Sequence, residues 1–504
     1  MMQPQSASEA ADELIANCEQ EQLHLSGHIQ SFGVLLVVGS DNLTITHVSA
    51  NAASLFGNRP LLGEALTDIS AFPTELLEKL DGKTGNRENI FNFRLDEQSV
   101  HLRLLQGDGC YLLELEPTND DAPVWSLAEL RTMVYPTAGQ QWEHQDYWKS
   151  LLTAIASVLP FHRLLLYRFD SDWSGEVVAE HSQDNNQQYL GLKFPASDIP
   201  AIARKLYFEN PSRLISNITE EPVAVHSLSD EIPNLTWSDL RSVSPVHAQY
   251  LKNMGIQTSY SVPIILSGKL WGIVSCHHRE PLHVDARSRY QSEQLVQHFC
   301  SVYAMYLSRK KLELLKAIDE KIKSLVAQLD ILEDTRAALE AMLDATAQVC
   351  NGTLAAATVS GEWLTSDDTA DISLLKKIDK VFARDTSDHV LHCQNIQSLP
   401  ELADVEDPAL RGVLAIKLDH GRDTARLYVF RPPEKQLTEW AGNPDKTQAQ
   451  SETNDTLSPR TSFAKWSEIK GDLALPWSKA DLLFAKKARV GLLRLFHRMR
   501  KLQF

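Results

Sequence analysis

The apolar positions follow two periods along the chain. Between residues 33 and 115 they fall in short β-type blocks. Gly33–Val38 is a continuous apolar run and Leu43–Val48 alternates, and the Gly39-Ser40-Asp41-Asn42 stretch between them predicts a strand–turn–strand. Blocks at Ile90–Leu95, His101–Leu105 and Tyr111–Leu115 predict three more strands, and the turn-rich segment 117–123 marks a boundary. From Trp125 onward, strand candidates (Arg163–Asp170, Glu176–His181, Thr258–Leu266, Leu270–His277) alternate with helical ones (Ile199–Tyr207, Pro245–Met254), the pattern of an antiparallel sheet flanked by helices. A helical stretch then runs from about Ala286 to Val349. In it Leu315, Ile318, Ile322, Leu325, Leu329 and Leu332 repeat at 3-4-3-4-3 spacing, an a/d seam. Such a seam packs on its own domain or pairs across a dimer, and its length favours a homodimer through this helical spine. A third α+β region covers roughly 340–480, interrupted by the polar segment 443–458, too long for a simple turn. The basic segment Lys479–Phe504, whose Lys486, Lys487, Arg489, Arg494, Arg498, Arg500 and Lys501 face almost no acid, predicts a terminal helix. It reads as a signalling helix leading to a further domain, with a membrane-surface helix as the alternative.

Length and composition fit this division. The 504 residues suit about three domains at ~150 residues each. The chain is 43% hydrophobic and 23% charged, ordinary for a globular protein. A net charge of −17 argues against a general nucleic-acid binder, because phosphate binding needs surplus Lys and Arg. The six cysteines (Cys18, Cys110, Cys276, Cys300, Cys350, Cys393) form no CxxC and no zinc-ligand spacing, which fits a reducing cytoplasm and no metal site. There is no secretory-type N-terminus and no run of about 20 apolar residues, so no membrane span is expected. No Walker loop, kinase ATP-site motif or nucleophile–base set is present, so these residues are expected to be non-catalytic.

Three segments carry candidate chemistry. Residues 18–33 place Cys18 ahead of Glu21, His24, Gly27, Ile29, Gln30 and Gly33. A lone cysteine is usually inert, but a reachable thiolate can form a thioether with an electrophilic vinyl group. In Phe194–Pro200, Pro195 and Pro200 bracket a rigid turn in which Ser197 or Asp198 would cap the next helix. Asp198 would otherwise be a carboxylate set beside a cation. Residues 240–255 and 259–278 supply Arg241, Ser244, His247, Tyr250, Ser259, Ser261 and His277. With Tyr207 and Arg213 they are a large polar supply for one core. Arginine presents a fork suited to carboxylates, so a conjugated ligand with two carboxylates would match.

Taken together, CxxExxH followed by GxIQxxG, then the Phe194–Pro200 turn, then LRSVSPxH and WGxxxCHH resemble the bacteriophytochromes over nearly the whole chain. The resemblance implies an N-terminal segment and PAS domain over 1–123, a GAF domain over 124–308, and a PHY domain over 309–504. The segments around Trp440–Pro444 and Pro459–Glu468 would be the arms of a PHY tongue at about 432–476. It further implies a red/far-red photoreceptor carrying biliverdin IXα on Cys18 and signalling to an output domain or response regulator. Val246 stands where plant-type members carry a bilin-binding thiol, so biliverdin is implied and not a phytobilin. Asp198 and His247 match the groups around the pyrrole nitrogens. Arg213 and Arg241 match propionate-binding arginines, helped by Tyr207, Ser244, Ser259 and Ser261. Tyr167, Phe194, Tyr250 and His277 match the pocket of the terminal ring. Arg460, Ser462, Trp440 and Trp466 would be the tongue's switch residues, and the family threads its N-terminal segment through a lasso of the GAF domain. Ser26, Ser31, Phe32 and Ala441 depart from the family pattern, which puts photoproduct stability in question rather than ligand binding. The alternative is a GAF-type small-molecule switch without a bilin.

Overall fold

The computed structural model describes residues 22–69, 72, 74–118, 124–136, 140–183, 188–359, 361–420, 423–444, 460 and 462–502. Two compact units divide the chain: residues 1–305 with 439–466, and residues 306–438 with 467–504.

In the first unit, strands β1 (His28–Ile29), β2 (Val34–Gly39), β3 (Ile45–Ser49), β4 (Arg87–Leu95), β5 (Gln98–Gln106) and β6 (Cys110–Pro117) belong to the first domain. Its sheet has the order β3-β2-β6-β5-β4. The apolar run of β2 is unbroken because both its faces are covered. Val34, Leu36 and Val38 point into the first domain's core with Leu102, Leu104 and Leu113, while Leu35 and Val37 pack with Leu235 and Leu240 of the second domain.

The second domain contributes β7 (Arg163–Phe169), β8 (Gly175–Ser182), β9 (Lys193–Phe194), β10 (Arg213–Ile215), β11 (Val223–Ser227), β12 (Thr258–Leu266) and β13 (Lys269–His278). Its antiparallel sheet runs β10-β12-β13-β7-β8-β9. Strand β11 leaves that sheet and joins the first domain's, between β1 and β3. The segment around β1 is therefore bonded on both sides by the 223–242 excursion. Val225 N donates to the Gly27 carbonyl, Ser242 N to His28 and Leu235 N to His24. Gln30 is buried and reaches the Leu214 carbonyl at 2.9 Å.

The second unit holds a five-stranded sheet with the order Glu362–Thr365, Leu354–Val359, Asp423–Arg431, Gly412–His420, Val390–Cys393. Side chains alternate between two cores. Ala355, Ala357, Leu427 and Val429 face the helices Thr335–Val349 and Lys479–Leu502, and Leu354, Ala356, Tyr428 and Phe430 face Ile378 and Phe382 of the helix Ile372–Arg384.

Three expectations change here. The helix expected over 286–349 is two helices, Ala286–Ile331 and Thr335–Val349, because Asp334 accepts the backbone N–H groups of Arg336 (3.0 Å) and Ala337 (3.4 Å) and starts the second. All of the a/d seam but the half-buried Leu315 is spent within the unit. Ile318, Leu325 and Leu329 are buried in its own core and Ile322 and Leu332 pack against it, so those positions offer no free face to a second chain. The terminal helix Lys479–Leu502 is not short of acids. Lys487 pairs with Asp319, Arg494 with Asp330 at 2.9 Å and Lys486 with Asp388 at 3.3 Å, while Phe484, Ala488, Leu492 and Leu495 are buried against the same core. Among the described residues no helix is long and apolar enough to cross a membrane, and no cluster of His, Cys, Asp and Glu is arranged to hold a metal ion.

Candidate functional site

The first unit contains a cleft of about 470 Å³, within the range that takes a drug-sized ligand. One wall is the second domain's sheet. Ser259 and Ser261 lie two apart on β12 and so share a face, and the register sets them opposite His277 and Ser275 of β13. The His277 ring bonds Ser275 Oγ at 2.8 Å. Tyr167 enters from β7, its ring packed so closely over Gly175 that a Cβ there would lie 2.0 Å from it.

The second wall is the turn at 194–200. Pro195 is extended, Ala196–Asp198 form one 3-10 turn, and Pro200 occupies the N-cap of helix Ala201–Glu209. Neither Ser197 nor Asp198 caps that helix, so the capping expectation fails. The Asp198 carboxylate turns instead to the 439–466 excursion, where Oδ2 accepts from Arg460 and, at 2.9 Å, from the Tyr250 hydroxyl. Arg460 also donates to the Ala441 carbonyl (2.6 Å), and its guanidinium lies 5.1 Å from the Phe463 ring and 5.9 Å from Phe194. Burial raises the Asp198 carboxyl against the opposing pull of Arg460 and of the Tyr250 hydroxyl. Trp440 pairs in parallel with Lys193, which anchors this arm to the sheet's edge.

The third wall is residues 241–254. Pro245 begins helix Pro245–Asn253, which aims His247, Tyr250 and Met254 into the cleft. Burial, with Arg213 nearby, pushes His247 down to about 4. Burial, with Arg163 and His247 nearby, pushes His277 down to about 3. Both are therefore neutral at pH 7, each with one donor and one acceptor nitrogen.

The floor holds two arginines, Arg241 buried and Arg213 half-buried. Arg213 donates to the carbonyls of Asp239 (3.1 Å), Arg241 (2.5 Å) and Ser242 (3.0 Å), and Arg241 to those of Thr236 (3.2 Å) and Leu235 (3.4 Å). Among the described residues neither meets a carboxylate, while Tyr207 bonds Ser261 at 3.0 Å beside them. Burial lowers both, Arg213 strongly, with Arg241 adding to the effect, and Arg241 to about 10. Two desolvated cations without a counter-ion are costly, and an incoming dianion would relieve them.

Asp198, His247, Arg213, Arg241, Tyr207, Ser244, Ser259, Ser261, Tyr167, Phe194, Tyr250 and His277 all line this cleft, as do Val246 and Arg460. Ser462 does not, being exposed, and Trp440 and Trp466 are half-buried outside it. The residue of that arm which enters the core is Phe463, edge-on to Tyr250 at 5.2 Å, a role its sequence position alone does not announce. Ala441, a departure from the family pattern, is fully buried beside it. Cys18 and the tip at 445–459 lie outside the described residues. Leu23, five residues after Cys18, lines the cleft.

Three family models match in order: the PAS fold over 18–118, the GAF domain over 143–307 and the phytochrome region over 318–501. A bacteriophytochrome of Pseudomonas aeruginosa is 32% identical over 95% of this chain and 66% of its own length. The chain therefore spans about two thirds of that relative. The photosensory core module of a Stigmatella aurantiaca phytochrome superposes with a TM-score of 0.79 at 28% identity, covering 95% of this chain and 98% of that one. A bacteriophytochrome of R. palustris shares the fold, with a TM-score of 0.81 at 24% identity over 95% and 99% of the two chains.

Proposed function

The chain belongs to the phytochrome family as a PAS–GAF–PHY photosensory module, a bilin-binding sensor of red and far-red light, and we propose that its pigment is biliverdin IXα held by a thioether to Cys18. The observation that carries the reading is the pair of arginines, Arg241 buried and Arg213 half-buried, that meet no carboxylate among the described residues on the floor of a mostly apolar cleft. Arg213 and Arg241 would receive the two propionates, with Tyr207, Ser244, Ser259 and Ser261 around them. Asp198 and His247 would face the pyrrole nitrogens, and Tyr167, Phe194, Tyr250 and His277 the terminal ring. The absence of a thiol at Val246 supports attachment at the N-terminal cysteine.

Bound, the pigment supplies light absorption and a Z/E isomerisation. The protein's part is to hold neutral His247 and His277 where they can donate and accept, and to pair the Asp198 carboxyl with Arg460. The switch is the exchange of the Arg460 and Phe463 contacts for others as the excursion refolds. Moving a population from 1:99 to 99:1 takes about 5.5 kcal/mol. One charge-assisted bond supplies roughly 1.5–3 kcal/mol. Burial of one phenylalanine adds about 1.5–3 kcal/mol, so Arg460 and Phe463 supply most of the required size and further packing, such as that of Trp440 and Trp466, supplies the rest. An output domain or response regulator would read the change through the helices, and a homodimer would have to use surfaces other than the consumed a/d seam.

The test is an absorption spectrum of the protein with biliverdin before and after red illumination, beside Cys18→Ala. A red-absorbing adduct that converts reversibly, with covalent linkage lost in the variant, is the expected result. A protein that takes up no pigment leaves a bilin-free anion switch as the better reading.

A further inference from the structure

The floor of the cleft is held from the first domain. The segment 238–242 carries Arg241 and supplies the three carbonyls that orient Arg213. Two side chains from adjacent strands of the first domain grip it. Arg103 of β5 pairs with the Asp239 carboxylate and is steadied through Nε by Asn89 Oδ1 at 2.9 Å. Glu114 of β6, the cross-strand partner of Arg103, accepts the Ser238 hydroxyl at 2.5 Å and the Leu240 N–H at 3.4 Å, and its other oxygen lies 3.8 Å from Arg103. The side chains of Arg103, Glu114 and Asp239 are at most 2% exposed. Asp239 is the shared link, its carboxylate bound to the first domain and its carbonyl bound to Arg213.

We propose that Arg103 and Glu114 are positioning residues for the cleft's anion site, setting through Asp239 and the Ser238–Leu240 backbone where Arg213 and Arg241 present their guanidinium groups. This rests on the reading that those two arginines hold a bilin's propionates. A charge-assisted bond is strong only at the right distance and angle. A close-packed, buried link such as Asp239 has few alternative arrangements, so its placement is transmitted and not absorbed. The first domain thereby takes part in ligand selection without touching the ligand.

The test compares biliverdin with biliverdin dimethyl ester, which lacks the two carboxylates, in the full chain carrying Cys18→Ala so that binding is reversible. With the network intact the diacid should bind about tenfold tighter or more, the size expected of charge-assisted bonds. Asp239→Asn, which keeps the backbone and shape, should reduce that preference by about threefold or more while ester affinity changes little. Arg103→Gln leaves the 238–242 segment untouched and should act in the same direction, which keeps the proposal open to refutation should Asp239→Asn not fold. Equal losses for both ligands, or a preference kept in full, would mean the network is only domain glue and overturn the inference. An intact network that binds both ligands equally overturns it together with the propionate assignment.

Discussion

Arg103, Arg289, Arg213 and Arg241 of the first unit fall into two kinds. Arg103 and Arg289 meet carboxylates, Asp239 with Glu114 for the one and Glu116 for the other. Arg213 and Arg241, a few residues away in the fold, meet only backbone carbonyls. Against the upward pull of burial, Arg289 holds Glu116 down to about 2, and the pair raises Arg289 in return. The cleft's arginines are lowered by burial that Tyr207 and Glu114 offset only in part, and Arg103 is lowered too, by burial and by Arg289, so the contact partner and not the direction of the shift marks the two kinds. The first kind completes an ion pair inside the fold. The second leaves positive charge for something the fold does not contain. Exposure does not separate them, since Arg103, Arg289 and Arg241 are all buried and Arg213 is half-buried; the identity of the acceptor does.

The comparison is most open to attack through its energetics. Glu116→Ala should cost about 3–5 kcal/mol of stability, because it strands the Arg289 cation in a fully buried site. Arg241→Met should cost the ligand-free protein only about 1–2 kcal/mol, since it removes two bonds to carbonyls and strands no charge. Urea unfolding of the two variants measures both, and equal losses would erase the distinction. Arg460→Ala comes next. It leaves Asp198, whose carboxyl burial already raises, without its cation, and should weaken the closure of the 439–466 arm by about 1.5–3 kcal/mol. The readout is hydrogen exchange at the Gly442 amide, which bonds the Ala464 carbonyl at 2.9 Å. Exchange there should accelerate by about 10- to 150-fold if opening of the arm is what exposes it. An unchanged rate would show that the arm is held by Phe463 packing and not by charge.

The two kinds of arginine differ in how far the sequence displays them. Arg213 and Arg241 stand in short polar segments crowded with Ser, His and Tyr, and that density points to a polar ligand before any coordinates exist. Arg103, Glu114 and Glu116 stand at alternate positions of strands, in Leu102-Arg103-Leu104 and Leu113-Glu114-Leu115-Glu116. Such alternation does not say whether the polar face meets water or a second domain, and here it meets one, at 0–2% exposure. The strands themselves were legible because their apolar runs are long and bounded by turn residues. The a/d seam was legible as a helix face but not as to its partner, since period fixes which residues share a face and not what covers it. The same limit hid the acids that neutralise Lys487 and Arg494, which come from a helix more than 150 residues earlier. Phe463 was hidden for another reason. The neighbouring Arg460 and Ser462 are the chemically conspicuous residues, while an apolar ring in a polar excursion gives no sign of which core it enters.

The smallest expected effect separates the two regions by pH. His101, beside Arg103 and Arg289, is pushed down by burial and those cations to about 3, and neither of its ring nitrogens has a hydrogen-bond partner among the described residues. His277 in the cleft is pushed to about 3 as well. In both cases the folded value lies below the unfolded value of about 6.5, so the unfolded chain takes up the proton first as pH falls. Stability is therefore intact above about pH 6.5 and is lost progressively toward pH 3. Each histidine should account for about 1 kcal/mol of the loss between pH 7 and 5.5. In the ligand-free protein, His101→Phe and His277→Phe should each flatten the pH dependence of the urea midpoint by that amount. With biliverdin bound, the two should part. His101→Phe should leave the absorption spectrum unmoved, because that ring stacks on Phe91 at 4.8 Å and not on the cleft. His277→Phe should shift it, because that ring lines the cleft. If His101→Phe shifts the spectrum as far as His277→Phe does, the seam and the cleft are one electrostatic site, and the division between paired and unpaired arginines no longer marks where ligand recognition ends.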